Sequence, residues 1–140
     1  MTPRRILLVE DNHGDVLLTK RAFREYPVEF EVITNGEEAL NRLLTYEQPL
    51  PELILLDLNL PRVSGWEILE RVREERLLRR IPIIILTSSD AEADIGRSYE
   101  LNASAYLQKP VTPDAFKQLA NDFDAFWLGQ VKLPSMRGRQ

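Results

Sequence analysis

The segment Leu53-Ile54-Leu55-Leu56-Asp57 places four apolar residues in succession directly before an acid. A short apolar run without polar alternation is typical of a strand covered on both faces, as in a parallel sheet. Two more runs of this kind are Ile6-Leu7-Leu8-Val9-Glu10-Asp11 and Ile83-Ile84-Ile85-Leu86-Thr87. Three apolar strands that each stop at a polar residue predict a parallel sheet with a polar carboxyl edge.

Helical patterns lie between the predicted strands. A helical pattern from Val16 to Phe23 follows the first strand, and an alternating strand from Val28 to Ile33 comes next. Asn35-Gly36 then opens a second helix. After the third strand, Ser64 and Glu67 have the spacing of a capping box at the start of a third helix.

The remaining elements continue this alternation. Residues 90–101 have the pattern of a fourth helix, and Ala105-Tyr106-Leu107 has that of a fifth strand. Thr112-Pro113-Asp114 combines a capping hydroxyl with proline at the first helical position, which predicts a last helix that ends near Leu128.

Five strand–helix units in alternation predict an α/β fold, a doubly wound five-stranded parallel sheet with helices on both faces. The flavodoxin-like (βα)5 arrangement has strand order 2-1-3-4-5 and places its ligand crevice between strands one and three. A chain of 140 residues fits one domain. We predict that domain over residues 1–129 and a C-terminal tail over residues 130–140, since no further domain fits there.

Composition excludes several classes of function. The 18 basic and 22 acidic residues give a formal net charge of -4, so direct binding of nucleic acid is not expected. Because cysteine is absent, disulfides, zinc-thiolate sites and thiol catalysis are excluded. The sequence shows neither a signal peptide nor a membrane span, and we predict a cytoplasmic protein without membrane contact.

Polar side chains end four of the predicted strands: Glu10 with Asp11, Asp57, Thr87 and Lys109. Three carboxylates in one crevice repel each other unless a cation screens them, and oxygen ligands of this kind suit Mg²⁺. Lys109 adds a mobile positive charge and Thr87 a hydroxyl donor. Asp57, in the central position, is the candidate nucleophile for a phosphoryl group. These residues predict magnesium-dependent phosphoryl chemistry and leave open a kinase partner, a switch or a hydrolase.

Four segments carry these residues: Leu8-Val9-Glu10-Asp11-Asn12, Leu55-Leu56-Asp57-Leu58-Asn59-Leu60-Pro61 with Gly65, Leu86-Thr87-Ser88-Ser89, and Tyr106-Leu107-Gln108-Lys109-Pro110. Their order and spacing over roughly residues 4 to 128 resemble the signature blocks of response-regulator receiver domains.

The resemblance implies a role for each of these residues. It implies phosphorylation of Asp57 by a sensor histidine kinase, and a cis peptide bond between Lys109 and Pro110. Thr87 and Tyr106 would form the switch that changes with activation. The other implied roles are magnesium binding by Glu10, Asp11, Asp57 and the carbonyl of Asn59, and contact with the phosphoryl group by Thr87 and Lys109.

Other segments resemble stand-alone regulators paired with bacterial phytochromes: residues 11–16, Leu58-Asn59-Leu60-Pro61, residues 89–99 and Phe126-Trp127-Leu128 with Leu133-Pro134. A bacterial phytochrome is therefore the implied type of kinase. Without an output domain, the signal is expected to pass to a downstream protein target or a phosphotransfer protein.

The implied signalling surface is the fourth helix, fifth strand and fifth helix, through which the chain would form a homodimer or bind a partner. Phe126, Trp127 and Leu128 would extend this surface as an apolar patch, joined by Val131 and Leu133. The competing interpretation is that the tail folds back over these rings.

Three other functions fit part of the pattern. A magnesium phosphatase of the haloacid dehalogenase type would place its nucleophile on the first strand in an Asp-x-Asp pattern, whereas Asp57-Leu58-Asn59 follows the third. A flavodoxin-like FMN carrier would need a phosphate-binding loop after the first strand, where Glu10-Asp11-Asn12-His13 would repel phosphate. A receiver-like scaffold that has lost phosphorylation is disfavoured by the intact residue set. His13 is expected to lie in the loop or first helical turn beside the acids without a catalytic role, and Trp66 is expected to be an ordinary packing residue.

Overall fold

The computed structural model describes residues 2–136, so the last four residues of the predicted tail lie outside the described part of the chain. The strands are β1 Arg4–Val9, β2 Val28–Ile33, β3 Leu53–Leu56, β4 Ile83–Thr87 and β5 Ala105–Gln108. The helices are α1 His13–Ala22, α2 Gly36–Leu44, α3 Gly65–Glu74, α4 Glu92–Glu100 and α5 Pro113–Phe123. A 3-10 turn, Leu78–Arg80, follows α3, and a π-helical turn, Asp124–Leu128, continues α5.

The five strands form one parallel sheet in the order β2-β1-β3-β4-β5. This confirms the predicted α/β fold and its strand order. The order reverses between β1 and β3, and these two strands pair in register, with Val9 opposite Leu56. Glu10 and Asp57, the residues that follow this pair, therefore lie side by side at the carboxyl edge of the sheet.

Side-chain caps begin four of the five helices. Asn12, Asn35, Ser64 and Thr112 each accept the backbone N–H three residues ahead. The Ser64 cap forms one half of the predicted capping box, since Ser64 Oγ accepts the Glu67 N–H at 3.3 Å.

Helix α4 differs from the prediction at its start. It begins at Glu92 rather than at residue 90, and Ala91 offers it no side-chain cap. The Ser89 hydroxyl instead accepts the N–H of Ala91 and donates to Asp94 at 2.7 Å. These bonds tie Ala91, whose backbone is extended, to Ser89, and the helix starts only after it.

Two apolar layers cover the faces of the sheet. One layer joins the sheet to α2 and α3 and includes Leu43, Ile68 and Leu69, all fully buried. The other joins it to α1 and α5 around Phe23, whose ring packs edge to face against Phe123 at 5.5 Å. No helix within residues 2–136 is long and apolar enough to span a membrane.

The segment after α5 folds back onto the domain. Leu133 packs in the layer beneath α1 and α5, whereas Met136, 1% exposed, belongs to the layer beneath α2 and α3. Trp127 and Leu128 are half-buried, and Phe126 stays 55% exposed. The described part of the tail therefore packs against both layers, while the Phe126 ring stays open to solvent.

Candidate functional site

Backbone hydrogen bonds extend the sheet past the strand ends and align the polar side chains. The Asp57 N–H donates to the Val9 carbonyl at 3.0 Å, and the Lys109 N–H donates to the Thr87 carbonyl at 2.7 Å. The side chains that follow adjacent strands consequently share one crevice, as expected at the switch point of a doubly wound sheet. Glu10, Asp57 and Thr87 are all buried there.

The ammonium group of Lys109 lies at the centre of this crevice. Its Nζ is 2.7 Å from Glu10 Oε1, 2.9 Å from Asp15 Oδ2 and 3.1 Å from Asp57 Oδ2. Burial lowers the pKa of Lys109, but the three carboxylates outweigh it, so the pKa lies above its ordinary value. Lys109 is therefore a permanent positive charge beside Asp57.

The predicted cis bond between Lys109 and Pro110 is wrong. Within residues 2–136 the only cis peptide bond is that between Gln48 and Pro49. A trans bond is the lower-energy form for most X–Pro pairs. With the trans bond, Lys109 already reaches all three of its carboxylate partners, so contact with Asp57 does not require the other isomer.

Three carboxylates converge beside the lysine. Oxygen atoms of Glu10, Asp11 and Asp57 lie within 4.8 Å of one another, with Asp11 exposed and the other two buried. Burial raises the pKa of Glu10 to about 7, and the Asp57 carboxylate adds to the rise while Lys109 opposes it. A hard divalent cation would relieve both the burial cost and the repulsion, so this donor set fits Mg²⁺.

Asp57 is held at both carboxylate oxygens. Oδ2 accepts from Lys109, and Oδ1 accepts the backbone N–H of Asn59 at 3.3 Å. The start of α3 packs against this turn so closely that a Cβ on Gly65 would lie 2.4 Å from the Asp57 carbonyl oxygen. Glycine at position 65 is therefore required for α3 to support the turn that carries Asp57.

Thr87 ends β4, and Tyr106 lies on the adjacent strand β5 opposite Ile85. The Thr87 hydroxyl is fully buried and has no hydrogen-bond partner among residues 2–136. The Tyr106 hydroxyl donates to the Ser89 carbonyl at 2.8 Å, and its ring is half-buried against the sheet. An unpartnered buried hydroxyl is costly, so Thr87 has a donor ready for an oxygen that enters the crevice.

Asp15 is the site residue that sequence reasoning missed. It lies in the first turn of α1, four residues after Asp11, and its carboxylate accepts a hydrogen bond from Lys109. Its position at the helix start already directs it toward the carboxyl edge. No sequence signal, however, indicates which way the side chain of Lys109, 94 residues away, would turn.

Comparison with known proteins identifies the family. The sequence model of the family described as response regulator receiver domain matches residues 6–121 of this chain. The chain belongs to this family. Receiver-domain response regulators are proteins of two-component signalling, and the resemblance inferred from the sequence is thereby confirmed.

Three relatives show which members this receiver resembles. It is 37% identical to the response regulator Rcp1 of Synechocystis, over 95% of each chain. It is 36% identical to a probable methanogenesis regulatory protein, FilR2 of Methanothrix harundinacea, over 94% of this chain and 88% of the relative. The crystal structure of a phosphorylated cyanobacterial phytochrome response regulator, RcpA, aligns with a TM-score of 0.90 at 35% identity, over 96% of this chain and all of the other. The Mn²⁺-bound form of Rcp1 aligns with a TM-score of 0.82 at 35% identity, over 95% of this chain and all of the other.

Proposed function

We propose that this receiver accepts a phosphoryl group on Asp57 in a magnesium-dependent reaction and signals through a phosphorylation-dependent interaction surface. The observation that carries the proposal is the buried Asp57 carboxylate, which lies 3.1 Å from the Lys109 ammonium and within 4.8 Å of the carboxylates of Glu10 and Asp11. A nucleophile, a fixed cation and a set of metal ligands therefore meet at one point.

Four residues would hold the metal. Glu10, Asp11 and Asp57 offer carboxylate oxygens, and Asn59 would add its backbone carbonyl. Magnesium keeps several waters and takes few protein ligands, so an affinity in the millimolar to sub-millimolar range is expected. When bound, Mg²⁺ supplies positive charge that screens the transferring phosphoryl group. The relative Rcp1, in its Mn²⁺-bound form, supports a divalent cation in this fold.

The proposed transfer is an in-line displacement at phosphorus. An oxygen of the Asp57 carboxylate forms a bond to the phosphorus as the bond from phosphorus to the donor's imidazole nitrogen breaks, and the electron pair stays on that nitrogen. Lys109 donates to a phosphoryl oxygen, and the free hydroxyl of Thr87 donates to another. These residues assist the reaction, while the sensor kinase supplies the phosphoryl group.

Thr87 and Tyr106 would transmit the change. Movement of the Thr87 hydroxyl toward a phosphoryl oxygen vacates space that the Tyr106 ring can enter. When the ring enters that space, the hydrogen bond from the Tyr106 hydroxyl to the Ser89 carbonyl breaks. A two-state equilibrium of the β4–α4 loop then shifts toward the active form. NMR spectra of the protein with and without the phosphoryl group test this transmission. Amide chemical-shift changes confined to the loops around Glu10 and Asp57 would contradict it.

The proposed partners are a sensor histidine kinase of the bacterial phytochrome type and a downstream protein target or phosphotransfer protein. The relative RcpA, a cyanobacterial phytochrome response regulator, supports that kinase type. The proposed signalling surface is formed by α4, β5 and α5, and the exposed ring of Phe126 extends it. The cytoplasmic location stays a prediction.

Homodimerisation through this surface is tested by analytical ultracentrifugation. Wild type and Phe126→Ala are compared with and without acetyl phosphate, at high micromolar concentration. The proposal predicts a dimer of the phosphorylated wild type that Phe126→Ala weakens. Monomers in every sample would contradict homodimerisation.

Phosphorylation itself is tested by intact mass after incubation with magnesium and acetyl phosphate. Wild type is expected to gain one phosphoryl group, Asp57→Asn none, and a chelator is expected to prevent labelling. Glu70→Gln removes an exposed carboxylate from α3, outside the proposed signalling surface, and serves as the matched control. Equal labelling of Asp57→Asn and wild type would overturn the assignment.

A further inference from the structure

The Lys109 ammonium has as many carboxylate partners as it has N–H bonds. It bears three donors, and Glu10, Asp15 and Asp57 each lie within 3.1 Å of its nitrogen. Only 8% of the lysine side chain is exposed, so water offers it little alternative. The three carboxylates therefore determine where the ammonium lies.

Asp15 differs from the other two partners because it stands outside the metal-ligand group. Within residues 2–136 that group consists of Glu10, Asp11 and Asp57. In the proposed reaction Glu10 faces the cation and Asp57 receives the phosphoryl group. Asp15 is then the one partner of Lys109 with no other task in the transfer.

The backbone of Asp15 is fixed, and its carboxylate serves Lys109 alone. The Asp15 N–H donates to Asn12 Oδ1 at 2.9 Å, and the Asp15 carbonyl accepts from Thr19 Oγ1 at 2.7 Å. Among the described residues, the carboxylate has Lys109 as its one polar partner, at 2.9 Å. The first turn of α1 thus presents a preformed acceptor to the lysine.

We propose that Asp15 is a positioning residue that anchors Lys109 while the phosphoryl group arrives at Asp57. The N–H that points to Asp57 in the resting protein turns to a phosphoryl oxygen, and the bond to Asp15 keeps the nitrogen in place during that exchange. The role rests on the proposed function, and it depends on a hydrogen-bond acceptor at position 15 rather than on its negative charge.

The test compares Asp15→Ala, Asp15→Asn and the control Glu70→Gln for the rate of phosphorylation by acetyl phosphate with magnesium. Asp15→Ala is expected to slow the reaction roughly three- to tenfold, the equivalent of one hydrogen bond. Asp15→Asn keeps an acceptor oxygen. Its phosphorylation rate is therefore expected to stay within about twofold of the wild-type rate, a smaller loss than that of Asp15→Ala. A rate for Asp15→Ala equal to that of wild type, or Asp15→Asn as slow as Asp15→Ala, would overturn the proposal.

Two double-mutant cycles show whether Asp15 acts through Lys109. In a Lys109→Ala background, Asp15→Ala is expected to leave the residual phosphorylation rate unchanged. Wild type, the two single variants and the double variant are also unfolded with urea without magnesium. The unfolding equilibrium constant of the double variant is expected to differ about fivefold from the value obtained by multiplying the two single effects. If this coupling is absent, Asp15 does not anchor Lys109, whatever the result of the phosphorylation assay. Failure of wild type to label, with the coupling present, would contradict the proposed function and leave the Asp15–Lys109 anchor standing.

Discussion

The two edges of the sheet are built on opposite principles. At the carboxyl edge, Glu10 and Asp57 are buried side by side and depend on Lys109 for compensation. At the amino edge, Leu50 and Ile81 are fully buried among apolar neighbours.

One charged group at the amino edge, Arg73, is also different in kind. Arg73 donates to the carbonyls of Asn102, Arg79 and Ile81 at 2.9–3.0 Å, so one guanidinium joins the segments that lead into β4 and β5. Carbonyl acceptors satisfy its donors without bringing like charges together. The amino edge therefore stabilises the fold, while the carboxyl edge keeps repulsion between carboxylates that a divalent cation can lower further.

The largest effect is expected at the amino edge. Leu50→Ala removes a fully buried side chain from the α2–α3 layer and should lower the free energy of unfolding by about 3 kcal/mol. Urea denaturation measures this loss. The folded variant should still be phosphorylated at the wild-type rate, because Leu50 lies at the edge opposite to Asp57. A large loss of labelling in the folded protein would show that the two edges are not independent.

Arg73→Leu should have the next largest effect. The substitution leaves three carbonyl oxygens without their donor and is expected to destabilise the protein by about 2 kcal/mol in urea denaturation. Arg71→Leu removes an exposed arginine from the same helix and is the control, with no measurable change expected. Equal effects of the two substitutions would contradict the role assigned to the Arg73 hydrogen bonds.

Magnesium should stabilise the protein through the carboxyl edge alone. With a dissociation constant near 1 mM, about 10 mM magnesium chloride is expected to raise the free energy of unfolding by about 1.4 kcal/mol. Asp11→Ala should lose this increment and Leu50→Ala should keep it. An increment that survives Asp11→Ala would place the cation elsewhere.

The smallest effect concerns backbone strain. Arg62, in the loop between β3 and α3, has φ 72°, and Asn102, after α4, has φ 70°. Asparagine tolerates this left-handed conformation better than arginine does. Arg62→Gly is therefore expected to raise the free energy of unfolding by about 0.5 kcal/mol, after the entropy cost of glycine. Asn102→Gly should change the free energy of unfolding less. A larger gain from Asn102→Gly than from Arg62→Gly in urea unfolding would contradict the claim that Arg62 is the more strained residue.

The fold was predictable because its signals are local. Uninterrupted apolar runs gave the buried strands β3 and β4, and capping residues such as Asn35 and Thr112 gave the helix starts. The predicted start of α4 at residue 90 was wrong. In the structure the Ser89 hydroxyl donates to Asp94, and the helix begins at Glu92 instead. A competing local hydrogen bond of this kind is not visible in hydrophobic periodicity.

The candidate site was predictable only in part. The residues that end the strands could be identified because parallel strands bring their carboxyl ends together. Contacts set by side-chain direction could not, such as that between Asp15 and Lys109. The burial of Met136 was also hidden, because a single methionine after a proline and a serine has no periodicity that indicates its face.

The most direct measurement is reductive trapping of the phosphorylated protein followed by peptide mapping. Wild type is treated with acetyl phosphate and magnesium, and borohydride then converts the acyl-phosphate residue to homoserine, which marks its position in the chain. We predict a single converted residue, Asp57, and none when a chelator replaces magnesium. Conversion of another acid such as Asp11, with Asp57 intact, would contradict the central claim that the carboxyl edge of this sheet directs the phosphoryl group to Asp57.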